Sequence, residues 1–201
     1  LVSTSEVNNN KTGVINISNS NIRSVYNSNG IVDLNTVTVN GISAEGSGTT
    51  NINGMILNSG SIVNRNSHVI NIYDASVEND WISIYNNNAG SIINIYGGSF
   101  NSTKQNTVSN IGTINIYGGT ITSTTGNSIT NTGTVNIGSK DGNVSTEMPV
   151  ITGKTYGVNN SDSGKVNFYD GIVSGESGAF YGTVNEVEPG YKIVTNKTDS
   201  L

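Results

Sequence analysis

Short runs of alternating apolar and polar residues recur along the chain, separated by Gly and Asn. In the run Thr113–Tyr117 the two Ile residues share one face of an extended strand, and Asn115 and Tyr117 share the other. This follows because successive side chains of a β-strand point to opposite sides. The pattern predicts short, half-buried strands joined by tight turns, with the Ile positions facing a core.

The run returns at a nearly constant interval. Clear copies read GTINIYGGTI at 112–121, GSIINIYGGSF at 90–100, GKVNFYDGIV at 164–173 and HVINIYDASV at 68–77. The polar residue between the two apolar ones serves as a marker, and it falls at Asn16, Asp33, Asn51, Asn71, Asn94, Asn115, Asn136, Asn167 and Asn185. The average interval of about 21 residues is too short for a propeller blade, and the leucine-rich-repeat pattern is missing.

We therefore predict an all-β fold, a right-handed single-stranded parallel β-helix (β-solenoid) of about nine coils of roughly 21 residues, with residues 1–201 forming one domain. Stacked coils bury a continuous core that a single coil cannot provide. The predicted inward residues are Ile15, Ile17, Ile52, Ile70, Ile72, Ile93, Ile95, Ile114, Ile116, Val135, Ile137, Val166 and Phe168.

Three stretches depart from the pattern. The interval of 31 residues between Asn136 and Asn167 predicts an inserted loop at 139–152. The segment 186–201 loses the alternation and is predicted to be a C-terminal cap or tail, while 1–12 is a possible N-terminal edge. Since the chain begins within the pattern, we expect it to be a piece of a longer protein.

Composition narrows the partners. The chain is polar yet only 11% charged, and it carries 34 Asn and 25 Gly, which favour ordered turns over helix. The net charge is −5 and the nine Lys and Arg are scattered, so a nucleic-acid partner is not expected. Cysteine is missing, which excludes disulfides and thiolate metal sites, and no apolar run reaches the roughly 18 residues of a membrane span.

The repeats GTINIYGGTITSTTGNSITNTGTVNIG and VNFYDGIVSGESGAFYGTVNEVEPGYKIV resemble repeat regions in large surface or adhesin-like proteins of gut-type Gram-positive and related bacteria. In architecture they resemble the pectate-lyase-like β-helix superfamily, over roughly residues 13–194. The resemblance implies an extracellular or cell-surface stalk or adhesive segment. Fold alone does not fix function.

Candidate catalytic groups are few. Pectate lyases of this architecture use acidic calcium ligands and a base, and Arg65 with Asp74, Glu78 and Asp80 is the nearest candidate. We favour interpreting these residues as a solvated loop, and His68 as a turn residue. We expect no cofactor, and calcium bound near Asp141 or Asp162 is a weaker alternative.

Two rows of side chains are predicted to run along the stacked coils. The first row is a structural ladder of turn asparagines, Asn27, Asn64, Asn86, Asn110, Asn131 and Asn159. The second lies on the outer face and consists of Tyr73, Tyr96, Tyr117 and Tyr169, beside Asn71, Asn94 and Asn115. Aromatic rings beside amides suit a sugar chain, although stacked Tyr also simply strengthens a sheet.

The sequence thus favours a non-catalytic structural or adhesive segment of a secreted or surface-anchored bacterial protein, with host or bacterial surface glycans or proteins as partners. A carbohydrate-binding module that uses the Tyr and Asn rows is the first alternative. A polysaccharide lyase or hydrolase is the second, and it requires acids and a base grouped on one face.

Overall fold

In the computed structural model the chain winds into a parallel β-solenoid, and every strand pairing is parallel. The structure describes residues 5–140, 145 and 147–187, and this part of the chain contains no helix. Accordingly, no helix long and apolar enough to cross a membrane occurs among these residues. The predicted all-β solenoid is confirmed, while its right-handed winding stays a prediction.

Each coil contributes one strand to a nine-stranded sheet, here called the short sheet. Its strands are β1 (Glu6–Asn9), β3 (Ser24–Asn27), β5 (Ile42–Ala44), β7 (Ile62–Asn64), β9 (Ile84–Asn86), β12 (Val108–Asn110), β15 (Ile129–Asn131), β18 (Tyr156–Asn160) and β21 (Gly178–Tyr181).

The rest of each coil lies in a thirteen-stranded sheet that bends into two arms. Four long strands run through both arms, β2 (Val14–Ile22), β4 (Ile31–Val39), β6 (Thr49–Leu57) and β8 (Val69–Asn79). The later coils divide each long strand in two. The first arm continues with β10 (Ile92–Ile95), β13 (Thr113–Ile116), β16 (Thr134–Ile137), β19 (Lys165–Phe168) and β22 (Glu186–Val187), and the second arm with β11 (Ser99–Ser102), β14 (Thr120–Ser123), β17 (Val150–Gly153) and β20 (Ile172–Gly175).

The bend between the arms explains why strands are long early and divided later. In the first three coils a single residue with positive φ turns the chain, namely Asn19 (φ 50°), Thr36 (φ 53°) and Gly54 (φ 73°). In the later coils a three-residue corner such as Tyr117-Gly118-Gly119 replaces it, with φ 83° at Gly119. Glycine reaches this conformation without the steric cost that a Cβ imposes.

The core confirms the predicted alternation. The predicted inward residues from Ile52 to Val166 are fully buried, and Phe168 is 6% exposed. Ile15 and Ile17 are only partly buried, because β2 pairs with a single described strand, β4. At the strand spacing of about 4.8 Å, the nine strands of the short sheet extend for about 40 Å.

The register corrects several boundaries. Within the described residues the second arm has eight strands, which gives eight complete turns and part of a ninth, close to the predicted number of about nine coils. The insertion lies between β16 and β17, and residues 150–152, predicted to belong to the loop, form β17 instead. At the last marker Glu186, not Asn185, pairs with Asn167, and the side-chain oxygen of Asn185 accepts from the Val166 amide.

The two ends also differ from the simple pattern. Strand β1 is the first strand of the short sheet and pairs with β3, so the coils begin within the segment predicted to be an N-terminal edge. At the other end Glu186 and Val187 form β22, and the remaining residues of the predicted cap, 188–201, lie outside the described part.

A buried asparagine ladder fastens the turn between the short sheet and the first arm. The Nδ2 group of Asn110 donates to the carbonyls of Gly112 (3.1 Å) and Thr134 (3.0 Å) and to Oδ1 of Asn131 (2.7 Å). Asn64, Asn86 and Asn131 make equivalent bonds to the next coil. The ladder therefore satisfies the turn carbonyls of each coil from inside.

The structure changes the membership of this ladder at one end. Asn131 pairs with Asn160, which is 2% exposed, whereas Asn159 pairs with Thr130 on the outer face. The prediction of Asn159 is wrong because β18 carries two consecutive asparagines and only the second points inward. Asn9, which the sequence pattern missed, occupies the corresponding position in the first coil and bonds to Gly13 and Ile31.

Ala44 interrupts the ladder, since it lies between Asn27 and Asn64 in the register and has no amide. The buried ring of His68 lies close to this gap. Its Nδ1 lies 2.7 Å from the Glu45 carbonyl, and its Nε2 lies 3.0 Å from the Thr50 hydroxyl, which also accepts from Asn27 at 3.0 Å.

These contacts fix the tautomer of the neutral His68 ring. A carbonyl oxygen can only accept, so Nδ1 carries the proton, and Nε2 of the neutral ring accepts from Thr50. Burial lowers the pKa of the imidazole below its ordinary value of 6.5, although hydrogen bonds to backbone carbonyls oppose the shift. His68 thus occupies the predicted turn position, but its ring is fully buried.

The first prediction compares the buried ladder with an outer position on the same coil. We expect Asn110→Ala to reduce the free energy of unfolding by about 2–4 kcal/mol, because it leaves buried polar groups without partners. The matched change Asn115→Ala, at a half-buried outer asparagine, should cost less than about 1 kcal/mol because water replaces the amide. Urea unfolding measures both, and equal losses would contradict a special role for the buried ladder.

The second prediction concerns pH. The unfolded chain takes up a proton on His68 as the pH falls below 6.5, whereas the folded chain does so only at its lowered pKa. Stability should therefore be fully present above pH 6.5 and fall as the pH drops from 6.5 toward that lowered pKa. Urea midpoints at stepped pH values measure this.

His68 is the single histidine, so His68→Gln provides the control for this second prediction. We expect the variant to be less stable but to lose the pH dependence between about pH 6.5 and 5.5, a range above the ordinary carboxylate pKa values. A wild-type midpoint that stays flat over this range, or a variant that keeps the slope, would refute the assignment.

Candidate functional site

Three of the predicted tyrosines form a stacked row at the corner where the first arm ends. The rings of Tyr73 and Tyr96 have centroids 5.0 Å apart with an interplanar angle of 11°, and Tyr96 and Tyr117 are 5.1 Å apart at 25°. These distances match the strand spacing, because each ring follows the same core residue of consecutive coils. Burial and the neighbouring phenols raise the pKa of Tyr96 above its ordinary value of 10, so this phenol stays neutral near pH 7.

Tyr169 lies apart from this stack. The register aligns Ile116, Ile137 and Phe168, so the residue that follows Ile137, Gly138, occupies the tyrosine position of the intervening coil. Two coil spacings, about 10 Å, therefore separate Tyr169 from Tyr117. The described row thus comprises three rings, and Tyr169 is a separate half-buried side chain.

The insertion follows Gly138 at the tyrosine corner, and its described residue Ser145 contacts an earlier coil. Ser145 donates its hydroxyl to the carbonyl of Tyr96 at 2.7 Å, two coils earlier. A Cβ at Gly118 would lie 2.5 Å from the Ser145 hydroxyl and 2.7 Å from the Glu147 carbonyl. Glycine at 118 therefore leaves the space that the insertion uses.

Beside the tyrosines runs a second amide ladder on the outer face of the first arm. Each Nδ2 donates to the Oδ1 of the preceding coil, at distances of 2.7 or 2.8 Å. In order along the chain its members are Asp33, Asn51, Asn71, Asn94, Asn115, Asn136 and Asn167.

Asp33 sets the direction of this outer ladder. An ionised carboxylate can only accept hydrogen bonds, so Asn51 must turn its NH2 group toward Asp33. The Oδ1 of Asn51 then faces the next coil and accepts from Asn71, and the same constraint passes along the row. One charge at the first position thereby orients the amides that follow.

The geometry limits what the predicted Tyr and Asn rows can bind. Both faces of Tyr96 are covered by its neighbouring rings, so a sugar cannot stack on it. Each outer asparagine between Asn51 and Asn136 uses one N–H and one oxygen position within the ladder. These rows therefore offer a ligand the ring edges and phenol groups, the amide N–H groups and lone pairs that the ladder does not use, and the outer face of the first ring, Tyr73.

At the N-terminal end of the tyrosine row lies an open depression of about 300 Å³. Tyr73 forms part of its wall and is 49% exposed. The polar side chains around it are Asn16, Asp33, Asn35, Asn51 and Asn53. The sequence pattern does not indicate this depression, because Asn35 and Asn53 belong to the weaker copies of the repeat.

Of the charged residues proposed as a lyase-like cluster, Arg65 and Asp80 lie in two separate ion pairs. Arg65 bonds to Glu45 at 3.2 Å and to the Ser43 hydroxyl at 2.8 Å. Asp80 contacts Lys104 at 2.5 Å, and hydrogen bonds from Lys104 and Thr103 lower its pKa below the ordinary value of 3.8. A carboxyl group with a lowered pKa is poorly suited to act as a general acid.

Within the described residues, no three His, Asp or Glu side chains lie close enough to hold a metal ion. Of the two positions considered for calcium, Asp162 is exposed in a turn and Asp141 lies outside the described residues. His68 has no solvent exposure, since its ring is enclosed beside the Ala44 gap.

A scan against protein-family models and searches of curated proteins and of solved structures find no match to this chain. The stacked coils agree with the β-helix repeat to which the sequence bears a resemblance. The candidate site therefore depends on its own geometry, which consists of the tyrosine row, the outer amide ladder and the depression beside Tyr73.

Proposed function

We propose that this chain is a non-catalytic structural and adhesive segment of a secreted or surface-anchored bacterial protein. The observation that carries the proposal is the row of stacked tyrosines and linked amides along the outside of the solenoid. The solenoid therefore combines a regular, hydrogen-bonded backbone with a regular outer surface.

The structural half of the proposal is supported by the way each coil is fastened to the next. Parallel pairing connects the strands, and the buried and outer amide ladders add bonds in the same direction. Because a solenoid is stabilised by contacts between neighbouring repeats, these bonds oppose bending or separation at any one coil. Such a rod holds a binding surface at a fixed distance from its anchor.

The adhesive half is supported by the outer surface. Tyrosine offers a large, rigid contact area and a hydrogen-bonding hydroxyl at low cost in conformational entropy. Among the exposed apolar side chains, Trp81 is 64% exposed, Ile56 54% and Ile172 53%. A partner that covered several of these groups would gain apolar burial in addition to hydrogen bonds.

The bacterial and extracellular assignment derives from the resemblance of the repeats to bacterial surface proteins. The acidic balance of −5 and the missing cysteines are compatible with it. Surface glycans and surface proteins are the partners we propose.

A catalytic role is a weaker proposal. Polysaccharide lyases and hydrolases need acids and a base that converge on the scissile bond. Here Arg65 and Asp80 are each engaged with a different partner, Glu45 and Lys104.

The third prediction tests adhesion. We expect the purified chain to be retained on at least one surface in a panel of immobilised polysaccharides, mucin glycans and extracellular proteins, and to stay bound when salt is raised. Retention should persist because uncharged contacts are screened little by salt. Retention on no surface would reject the adhesive half and leave a structural stalk.

A parallel assay addresses catalysis in the same preparation. Incubation with polygalacturonate and with neutral polysaccharides should give no unsaturated product and no new reducing ends. Turnover that survives repeated purification of the chain would overturn the non-catalytic proposal.

A further inference from the structure

We infer that the depression beside Tyr73 is a subsite for one or two neutral pyranose rings of a glycan, with the free face of Tyr73 as its stacking platform. The inference rests on the proposed adhesive function and assigns it a specific place and ligand class. It moves the sugar contact from the row as a whole to the N-terminal end of the row.

The row leaves one face of Tyr73 uncovered, and this side chain is 49% exposed and lines the depression. Tyr96 covers the other face at 5.0 Å. In the preceding coil Ile52 pairs with Ile72 and the next residue, Asn53, pairs with Asp74. The register skips Tyr73, which is therefore an extra residue of a β-bulge. Bulges redirect a side chain, and here the bulge presents an aromatic ring next to a coil without one.

Polar side chains of earlier coils line the depression together with Tyr73. Asn53 donates to Asn35 over a long 3.5 Å contact, and both asparagines line the depression with Asn16. Asp33 accepts from Asn51 through Oδ1, which leaves Oδ2 as an additional acceptor. Amide and carboxylate groups of this kind can bond to adjacent hydroxyls of a sugar ring while its C–H face lies on Tyr73.

The volume and the charge of the depression limit the class of ligand that it can hold. About 300 Å³ lies at the lower limit of ligand pockets, roughly 300 to 1,000 Å³, so it suits one or two rings rather than a whole chain. Among the residues that line the depression, Asp33 carries a formal charge and the others are uncharged, and the whole chain has a net charge of −5. Uronic or sialic acid carboxylates would be repelled here, which favours neutral sugars.

The openness of the site also fits a polymer. The Tyr rings stack face to face at the coil spacing, so the plane of Tyr73, and of a sugar stacked on it, lies across the rod. Because the depression is on the outer face of the coils, a longer glycan can leave it across the rod while one ring stays on Tyr73.

The fourth prediction is a titration of the full chain with soluble hexasaccharides, followed by saturation-transfer NMR. The neutral probes are cellohexaose, xylohexaose and mannohexaose, and the acidic probe is hexagalacturonate. We expect at least one neutral probe to bind, hexagalacturonate to bind at least about tenfold more weakly, and Tyr73→Ala to weaken neutral binding about tenfold. The face of Tyr96 that this change uncovers lies one coil, about 4.8 Å, farther from Asp33, so it does not restore the site.

Two further variants separate the subsite from general effects. Asp33→Asn keeps the shape and the acceptor used by Asn51 but removes the charge, and it should weaken neutral binding severalfold without a large change in the urea midpoint. Tyr85→Ala removes an outward, half-buried tyrosine of the short sheet on the next coil, and it should leave binding unchanged.

Three results would overturn the inference. These are no binding of any neutral probe, equal affinity in the wild type and Tyr73→Ala, or an equal loss on Tyr117→Ala, which would assign the sugar to the whole row. If the chain is still retained on immobilised surfaces in these cases, adhesion stands and the subsite fails. If soluble sugar binds through Tyr73 while no surface retains the chain, the subsite stands and adhesion fails.

Discussion

Every feature of this protein depends on the in-register stacking of one coil on the next at the β-strand spacing of about 4.8 Å. Parallel pairing places each residue directly above its equivalent in the neighbouring coil, so a repeated residue becomes a row. Isoleucine rows form the core, asparagine rows form ladders, and tyrosine rows form stacks. A one-residue shift in the register would separate all three kinds of row at once.

The two amide ladders show how such rows acquire a single orientation. In the buried ladder the backbone carbonyls of Gly112 and Thr134 require the NH2 group of Asn110 to face them. In the outer ladder Asp33 provides the requirement, and the orientation passes from one amide to the next. Both ladders therefore have a defined donor direction, which an isolated asparagine pair would not have.

The fold could be predicted from the sequence because period and alternation are local properties. The interval between markers and the Ile positions are sufficient to identify the solenoid and its core.

The sites where the prediction fails depend on relations between coils. The sequence pattern does not distinguish Asn159 from Asn160, because only the register between coils decides which of two adjacent asparagines is buried. The buried ring of His68 contacts Glu45 and Thr50 of the preceding coil, and no local pattern contains these contacts. The tyrosine row was visible in the sequence, but the depression beside Tyr73 depends on a bulge opposite Asn53.

The opposite directions of the two ladders have an electrostatic consequence. The buried amides turn their N–H groups toward the following coil, as Asn86 does toward Asn110. The outer amides turn theirs toward the preceding coil, as Asn115 does toward Asn94. Aligned amide dipoles in an α-helix accumulate into a macrodipole, with partial charges at its ends. In this solenoid the dipoles of one row offset those of the other, so coils can be added without building up a field along the rod axis.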